Sequence, residues 1–316
     1  MDAPTKTSLS QTIRTLAANL GFDAVGFARA ERLDGEAIRL RSWLDTGYHA
    51  DMAWMEGHFD KRVDPTLLVE GTKSVVVVLL GYKPTKVQPA DAPQIAKYAY
   101  GDDYHEVIKG KLWDLLAQIK EMVPEADGRP FVDSAPVLER AWAERAGLGW
   151  IGKNSLLVNR QLGSLIFIGT LMLNLDLDYG TPVRPSCGNC TRCIDACPTG
   201  SIVAPKVVDA RRCISYQTIE NRGGIPDSLK VPMGNRIFGC DACLDACPWN
   251  TKVAPHCHPE LAPSEAILTY TTEQWLEVDE GLFSTIFRRS AVKRAKLSGF
   301  RRNLEVVLEN EGKRNK

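Results

Sequence analysis

The sequence predicts an α/β (mixed α+β) domain, then a small cysteine-rich segment and a short helical end. Three observations carry this. A β-branched run, Ser74 to Leu80, is flanked by helical periodicities; eight of the nine cysteines lie between Cys187 and Cys247; and helix-like patterning resumes at Ser264. At 316 residues with 44% hydrophobic content the chain holds one large domain and a smaller one, divided here as residues 1–180, 181–262 and 263–316. Formal net charge is zero, so there is no global pull toward nucleic acid.

The first helix is expected over residues 7–20, where Leu9, Ile13, Leu16 and Leu20 fall near helical spacing and Gly21 supplies a stop. Ala24 to Ala28 reads as a short strand, residues 36–57 as an aromatic-rich helical region broken near Gly47, and Ser74 to Leu80 as a buried central strand. Lys83 to Pro93, with three prolines, reads as a loop or flap. Tyr98, Tyr100, Tyr104 and His105 then precede a helix from Glu106 to Met122 with an apolar stripe at Val107, Leu112, Leu115, Leu116 and Ile119. Pro130 to Val137 is read as extended and Leu138 to Ala146 as a helix. Gly147, Gly149 and Gly152 surround Trp150 in a turn where backbone can approach a ligand closely, although tight packing asks for the same residues. Residues 155–159 and 164–173 look like a hairpin, giving the domain strands of mixed direction, and Pro182 to Ser186 links to the cysteines. Beyond Ser264 the chain reads as helical, with breaks at Gly281 and Gly299.

The cysteines specify the chemistry. Cys187-x2-Cys190-x2-Cys193-x3-Cys197-Pro198 is the spacing of bacterial two-cluster ferredoxins, in which the fourth cysteine crosses to the other cubane. The second run, Cys240-x2-Cys243-x3-Cys247-Pro248, lacks its first cysteine, which would fall at Ile237; Cys213 is the nearby cysteine without a role. One [4Fe-4S] cluster is therefore assigned to Cys187, Cys190, Cys193 and Cys247, and a second to Cys197, Cys213, Cys240 and Cys243, leaving Cys257 over. Two four-cysteine zinc sites compete for the same ligands; interleaving and the Cys-Pro corners favour iron. Met1 to Leu20 has no apolar run ending in a cleavage site, and no stretch approaches the ~18 to 20 apolar residues of a membrane span. A cytoplasmic setting with reduced thiols, no membrane contact and a monomer is expected. With no Walker A loop or dinucleotide fingerprint, electrons are expected from an external low-potential donor such as flavodoxin or ferredoxin.

Four stretches carry a resemblance: Lys97-Tyr98-Ala99-Tyr100-Gly101-Asp102-Asp103-Tyr104-His105, Val132 to Arg140, Gly147 to Asn154, and the cysteine segment through Trp249-Asn250. Over roughly residues 5–260 the chain resembles the epoxyqueuosine reductase family. The resemblance implies reduction of epoxyqueuosine at the tRNA wobble position to queuosine. It implies a cobalamin held base-off in an N-terminal domain resembling the cobalamin-processing relatives of flavin reductases, with Co(I), generated by cluster electrons, attacking an epoxide carbon. Asp133 matches the family's proposed proton donor, a role for which burial would have to raise its pKa from ~3.9. Glu139 and Arg140 read as a structural pair at the next helix start or as polar contacts to the corrin, the structural reading being favoured.

Cofactor contacts are expected from Tyr104, His105, Asp133, Ser134, Gly149, Trp150, Gly152, Lys153 and Asn154, the last two suiting corrin amides or a tail phosphate. Asp103-Tyr104-His105-Glu106-Val107-Ile108 departs from the cobalt-ligating Asp-x-His-x-x-Gly pattern by carrying Ile108, so His105 is not assigned as a cobalt ligand. His256, Cys257 and His258 are left without a metal. From Arg288 to Lys316 there are ten Lys/Arg and three acidic residues, resembling the start of the helical repeats of longer relatives that engage tRNA. The alternatives are corrinoid reductive dehalogenation and a non-catalytic electron-transfer or corrinoid-handling protein.

Overall fold

The computed structural model describes residues 5–314; Met1–Pro4 and Asn315–Lys316, the last residues of the basic end, lie outside the described residues. Helix α1 (Lys6–Asn19) starts where the Thr5 hydroxyl accepts from the Ser8 N–H at 3.2 Å, buries Leu9, Ile13 and Ala17, and ends before Gly21, whose φ of +85° suits glycine. Next come β1 (Ala24–Arg29), α2 (Asp34–Asp45) and β2 (Ser74–Gly81). The helix expected to reach residue 57 stops at Asp45, and residues 46–58 are turns around a single 3-10 turn. Lys83 to Pro93 has no regular structure, as expected of a proline-rich loop.

The frame of the domain is completed by α3 (Tyr104–Met122), β3 (Gly128–Phe131), α4 (Glu139–Arg145), β4 (Trp150–Ile151), β5 (Leu157–Val158) and β6 (Ile166–Leu173). The main sheet runs β1-β2-β6-β3, with Ala24 opposite Leu79, Ser74 opposite Leu173 and Gly128 opposite Leu173. Every pairing in it is antiparallel, which corrects the mixed directions read from the sequence. The continuous apolar run misled because both faces of β2 are covered. Val76, Val78 and Leu80 join α1 and α3 in one cluster, while Val75, Val77 and Leu79 join α2 and α4 in another.

The anticipated hairpin also resolves differently. β5 pairs with β4, and β6 has both edges taken by β2 and β3, so residues 155–159 and 164–173 do not form a hairpin; an isolated bridge joins Asn159 to Gly163 between them. Gly169 on β6 lets α3 lie close: a Cβ there would stand 2.5 Å from Ile108 Cγ2 and 3.0 Å from Leu112 Cδ1. Gly169→Ala is expected to destabilise the protein by about 1–3 kcal/mol through overpacking, read as a lower denaturant midpoint at unchanged slope.

The C-terminal helices share a core with the second cysteine run. Trp275, Phe283, Phe287 and Phe300 pack together with Ile214, Ile237 and Phe238, and the buried Asn303 amide donates to the Thr218 and Ile237 carbonyls at 2.8 Å each. Gly281 and Gly299 do not break helices: they lie inside Glu280–Ile286 and α5 (Lys296–Arg314), where tertiary packing outweighs glycine's poor propensity. No helix among the described residues is long and apolar enough to cross a membrane.

Candidate active site and cysteine centres

Two local events bring the proton-carrying residues together. Asp103 caps α3, its carboxylate accepting from the His105 N–H at 3.0 Å, which presents Tyr104 and His105 at the helix start. Immediately after β3, Asp133 adopts φ +52°, a left-handed conformation uncommon outside glycine, and its N–H donates to Glu139 Oε1 at 2.6 Å. The Asp133 carboxylate thereby meets α3: Tyr104 O–H donates to Oδ2 at 2.7 Å, and His105 Nε2 stands 3.3 Å from the same oxygen. His105 Nδ1 lies 2.6 Å from Asp103 Oδ1. Tyr104 is held by stacking on Phe167 of β6, with centroids 4.3 Å apart and planes at 5°.

The protonation pattern differs from the sequence expectation. Burial works to raise the Asp133 pKa, but hydrogen bonds from His105 and Tyr104 and the charges of His105 and Arg140 win, holding the carboxyl below its ordinary value. Asp133 therefore rests ionised rather than proton-loaded. The protons sit beside it. Burial opposes a charged His105, yet Asp103 and Asp133 raise its pKa to about 9. Glu139, raised to about 8 chiefly by burial and then by the charge of Asp133, holds its proton at neutral pH. Sequence reading favoured a structural role for Glu139, because an acid in the first helical turn carries no signal of how deeply it will be buried.

Desolvation is the leading influence on Asp133 and Arg140, yet the Asp133 side chain is 61% exposed and Arg140 is also exposed. Both side chains therefore reach solvent from among many neighbouring atoms. Beside them is Ser155, at φ +65°, whose carbonyl accepts from Arg140 Nη1 at 2.5 Å and whose buried hydroxyl has no partner. Ser134 is exposed beside Asp133, and Lys153 is half-buried two residues before Ser155. Asn154 is buried, accepts from the Leu156 N–H at 3.3 Å and hydrogen-bonds the Cys243 thiol.

Three of the expected contacts also have packing roles. Trp150 is fully buried, donates to Cys187 Sγ at 3.3 Å and packs edge-on against Trp249 at 5.0 Å. A Cβ on Gly149 would strike the Val158 carbonyl, and one on Gly152 would lie 2.9 Å from Asn154 Oδ1. Both glycines serve the β4–β5 hairpin. His105 has both ring nitrogens engaged by carboxylates, in keeping with its not being a cobalt ligand. His258 pairs with Asp23 at 3.1 Å and Cys257 is exposed.

Cys193 feels the charges of Cys247 and Cys187, and Cys247 those of Cys187 and Cys190. Cys213 feels Cys197, while Cys240 and Cys243 both feel Cys213. Burial pushes Cys240 up to about 11 and Cys243 up to about 12, so thiolates there require a compensating cation. Cys197 differs: burial opposes ionisation, but N–H groups of Ile202 and Ser201 bring its pKa down.

Much of the basic C-terminal set is spent inside the fold. Arg289 pairs with Asp102 at 2.9 Å, Arg294 with Glu220 at 2.8 Å, and Arg302 donates to the Gln217, Asn221 and Gly223 carbonyls. Among the described residues Arg288, Lys293 and Lys296 make no ion pair and face outward.

Residues 186–250 match the family model described as 4Fe-4S double cluster binding domain, and residues 62–134 match that of Epoxyqueuosine reductase QueG, DUF1730. The chain is 50% identical over 300 residues to the epoxyqueuosine reductase of Leadbetterella byssophila, covering 95% of this chain and 98% of that one. To the Escherichia coli enzyme it is 39% identical over 316 residues, covering 96% and 81%. Among solved structures, an epoxyqueuosine reductase bound to an epoxyqueuosine-modified tRNA-Tyr stem loop superposes with a TM-score of 0.88 at 31% identity, covering 96% of this chain and 81% of that one. A Bacillus subtilis epoxyqueuosine reductase with its catalytic loop swung out of the active site superposes with a TM-score of 0.87 at 30% identity, over the same shares.

Proposed function

This chain belongs to the epoxyqueuosine reductase family, oxidoreductases that convert epoxyqueuosine to queuosine in tRNA, and we propose that it does so with base-off cobalamin in the Asp133 cleft and two [4Fe-4S] clusters. The observation that carries this is a solvent-reached carboxylate, Asp133, which accepts from Tyr104 and faces His105 Nε2 at 3.3 Å, with Asn154 bonded to Cys243 close by. Ser134, Arg140, Lys153 and Ser155 would hold the cofactor, the unpartnered Ser155 hydroxyl and the Arg140 guanidinium offering polar contacts to its amides or phosphate. Reduced cobalamin supplies a strong nucleophile for an epoxide carbon.

The chain's own part is to move protons. Converting an epoxide to an alkene removes the oxygen as water and consumes two electrons and two protons. Asp133 delivers protons to the departing oxygen, and Tyr104 fixes the carboxylate with a phenol whose pKa burial pushes far up.

Electrons enter from a low-potential donor such as flavodoxin or ferredoxin. The quartet of Cys197, Cys213, Cys240 and Cys243 stands on the cleft side, since Cys243 packs on the apolar cluster that includes Tyr104 and Phe167; the Cys187 quartet lies beyond it by Trp150 and Trp249. Among the described residues no three His, Cys, Asp or Glu side chains converge on a single-ion site. The interleaved cysteine spacing and the two Cys-Pro corners favour clusters over zinc. Arg288, Lys293 and Lys296 are the proposed phosphate contacts for tRNA, and the protein works as a monomer.

Anaerobic reconstitution with iron, sulfide and cobalamin, reduction in the presence of epoxyqueuosine-containing tRNA and mass analysis of the nucleoside test the whole reading. Loss of one oxygen from the nucleoside, dependent on cobalamin, is expected. Turnover that persists without cobalamin would overturn the cofactor assignment.

A further inference from the structure

Stoichiometry leaves one carboxylate short of a proton. Each turnover needs two, and Asp133 carries at most one at a time and rests ionised. We infer that His105, held by Asp103, recharges Asp133 between the two deliveries, so that Asp103, His105 and Asp133 form a proton relay ending at the substrate oxygen. This rests on the proposed role of Asp133.

The geometry is a linear chain of three groups. Asp103 Oδ1 meets His105 Nδ1 at 2.6 Å, and His105 Nε2 faces Asp133 Oδ2 at 3.3 Å, slightly long, as such contacts often are before substrate binds. The ring is fixed by stacking on Tyr104, centroids 4.1 Å apart, and its side chain is 29% exposed, so water can return the proton it gives. In each delivery Nε2–H passes to Asp133 Oδ2, and Asp133 passes a proton to the oxygen leaving carbon. The first makes a hydroxyl, the second releases water, and the two electrons come from the cluster-fed cofactor.

The other neighbours do not serve. Tyr104 donates to the same carboxylate oxygen but holds its proton too tightly to yield it. Glu139 keeps a proton near neutrality, but it is joined to Asp133 through the backbone N–H and not through the carboxylate. Arg140 and Arg294 contribute only charge toward Asp133, and Tyr98, buried nearby, remains a neutral phenol. The imidazole of His105 stays charged until about pH 9, so the relay is loaded at neutral pH and empties above that value.

The test compares His105→Gln, Asp103→Asn and Asp133→Asn, with cluster and cobalamin loading confirmed by absorbance, in single-turnover pH profiles. Asparagine preserves the helix cap at position 103. His105→Gln is expected to slow turnover by ~10²-fold at unchanged tRNA affinity. Asp103→Asn should move the alkaline limb down by about one pH unit or more while retaining most of the acid-side rate. Side-chain NMR on the protein without cobalamin should show the His105 midpoint falling in parallel. Wild-type rates in His105→Gln, or an Asp103→Asn loss equal at every pH, would overturn the relay. If Asp133→Asn is inactive while His105→Gln is normal, only the relay fails; if Asp133→Asn turns over normally, the Asp133 assignment fails with it.

Discussion

Asp133→Asn is expected to lower turnover by about 10²- to 10⁴-fold, the usual worth of a positioned acid-base group. The substitution isolates the chemistry well. Asparagine tolerates the left-handed backbone at φ +52°, so the turn after β3 should keep its shape, and the N–H bond to Glu139 survives because it is made by the backbone. The amide oxygen can still accept from Tyr104. What disappears is the ability to receive a proton from His105 and pass it on. Cobalamin and cluster loading should match the parent protein, and a loaded variant with parental turnover would remove Asp133 from the reaction.

Cys213→Ala should cost one cluster and leave the other. Iron is expected to fall from about eight to about four atoms per chain, with turnover lost, because the quartet on the cleft side loses a ligand. Cys213 stands immediately before the helix Ile214–Ile219 and feels Cys197, while Cys240 and Cys243 feel Cys213 in turn. The Cys187 quartet shares none of these neighbours and should retain its spectrum. Cys257, exposed and outside both quartets, provides the contrast: Cys257→Ala should keep all the iron. Equal iron loss in both variants, or none in Cys213→Ala, would defeat the ligand assignment.

The legibility of the site followed the range of its interactions. Ligand spacing is local, so the cysteine runs were readable. Helix α3 was readable from its apolar stripe, although its expected start at Glu106 missed the Asp103 cap that begins it at Tyr104. Strand direction was not, because a continuous apolar run reports burial on two faces and says nothing about the sense of its neighbours. The pairing of β6 with β2 and β3 joins residues about forty to one hundred positions apart by register alone, and no turn signal encodes it.

Sequence alone determined that eight cysteines carry the spacing of a 4Fe-4S double cluster binding domain, and that a Val-Asp-Ser-Ala-Pro motif precedes them, since spacing and motif are properties of neighbouring residues. Tertiary structure alone decided which groups hold protons. Asp133 lies ionised between His105 and Tyr104 and Glu139 is neutral nearby because a carboxyl's proton is set by burial and by charges brought from other elements, quantities that exist only once the chain has folded.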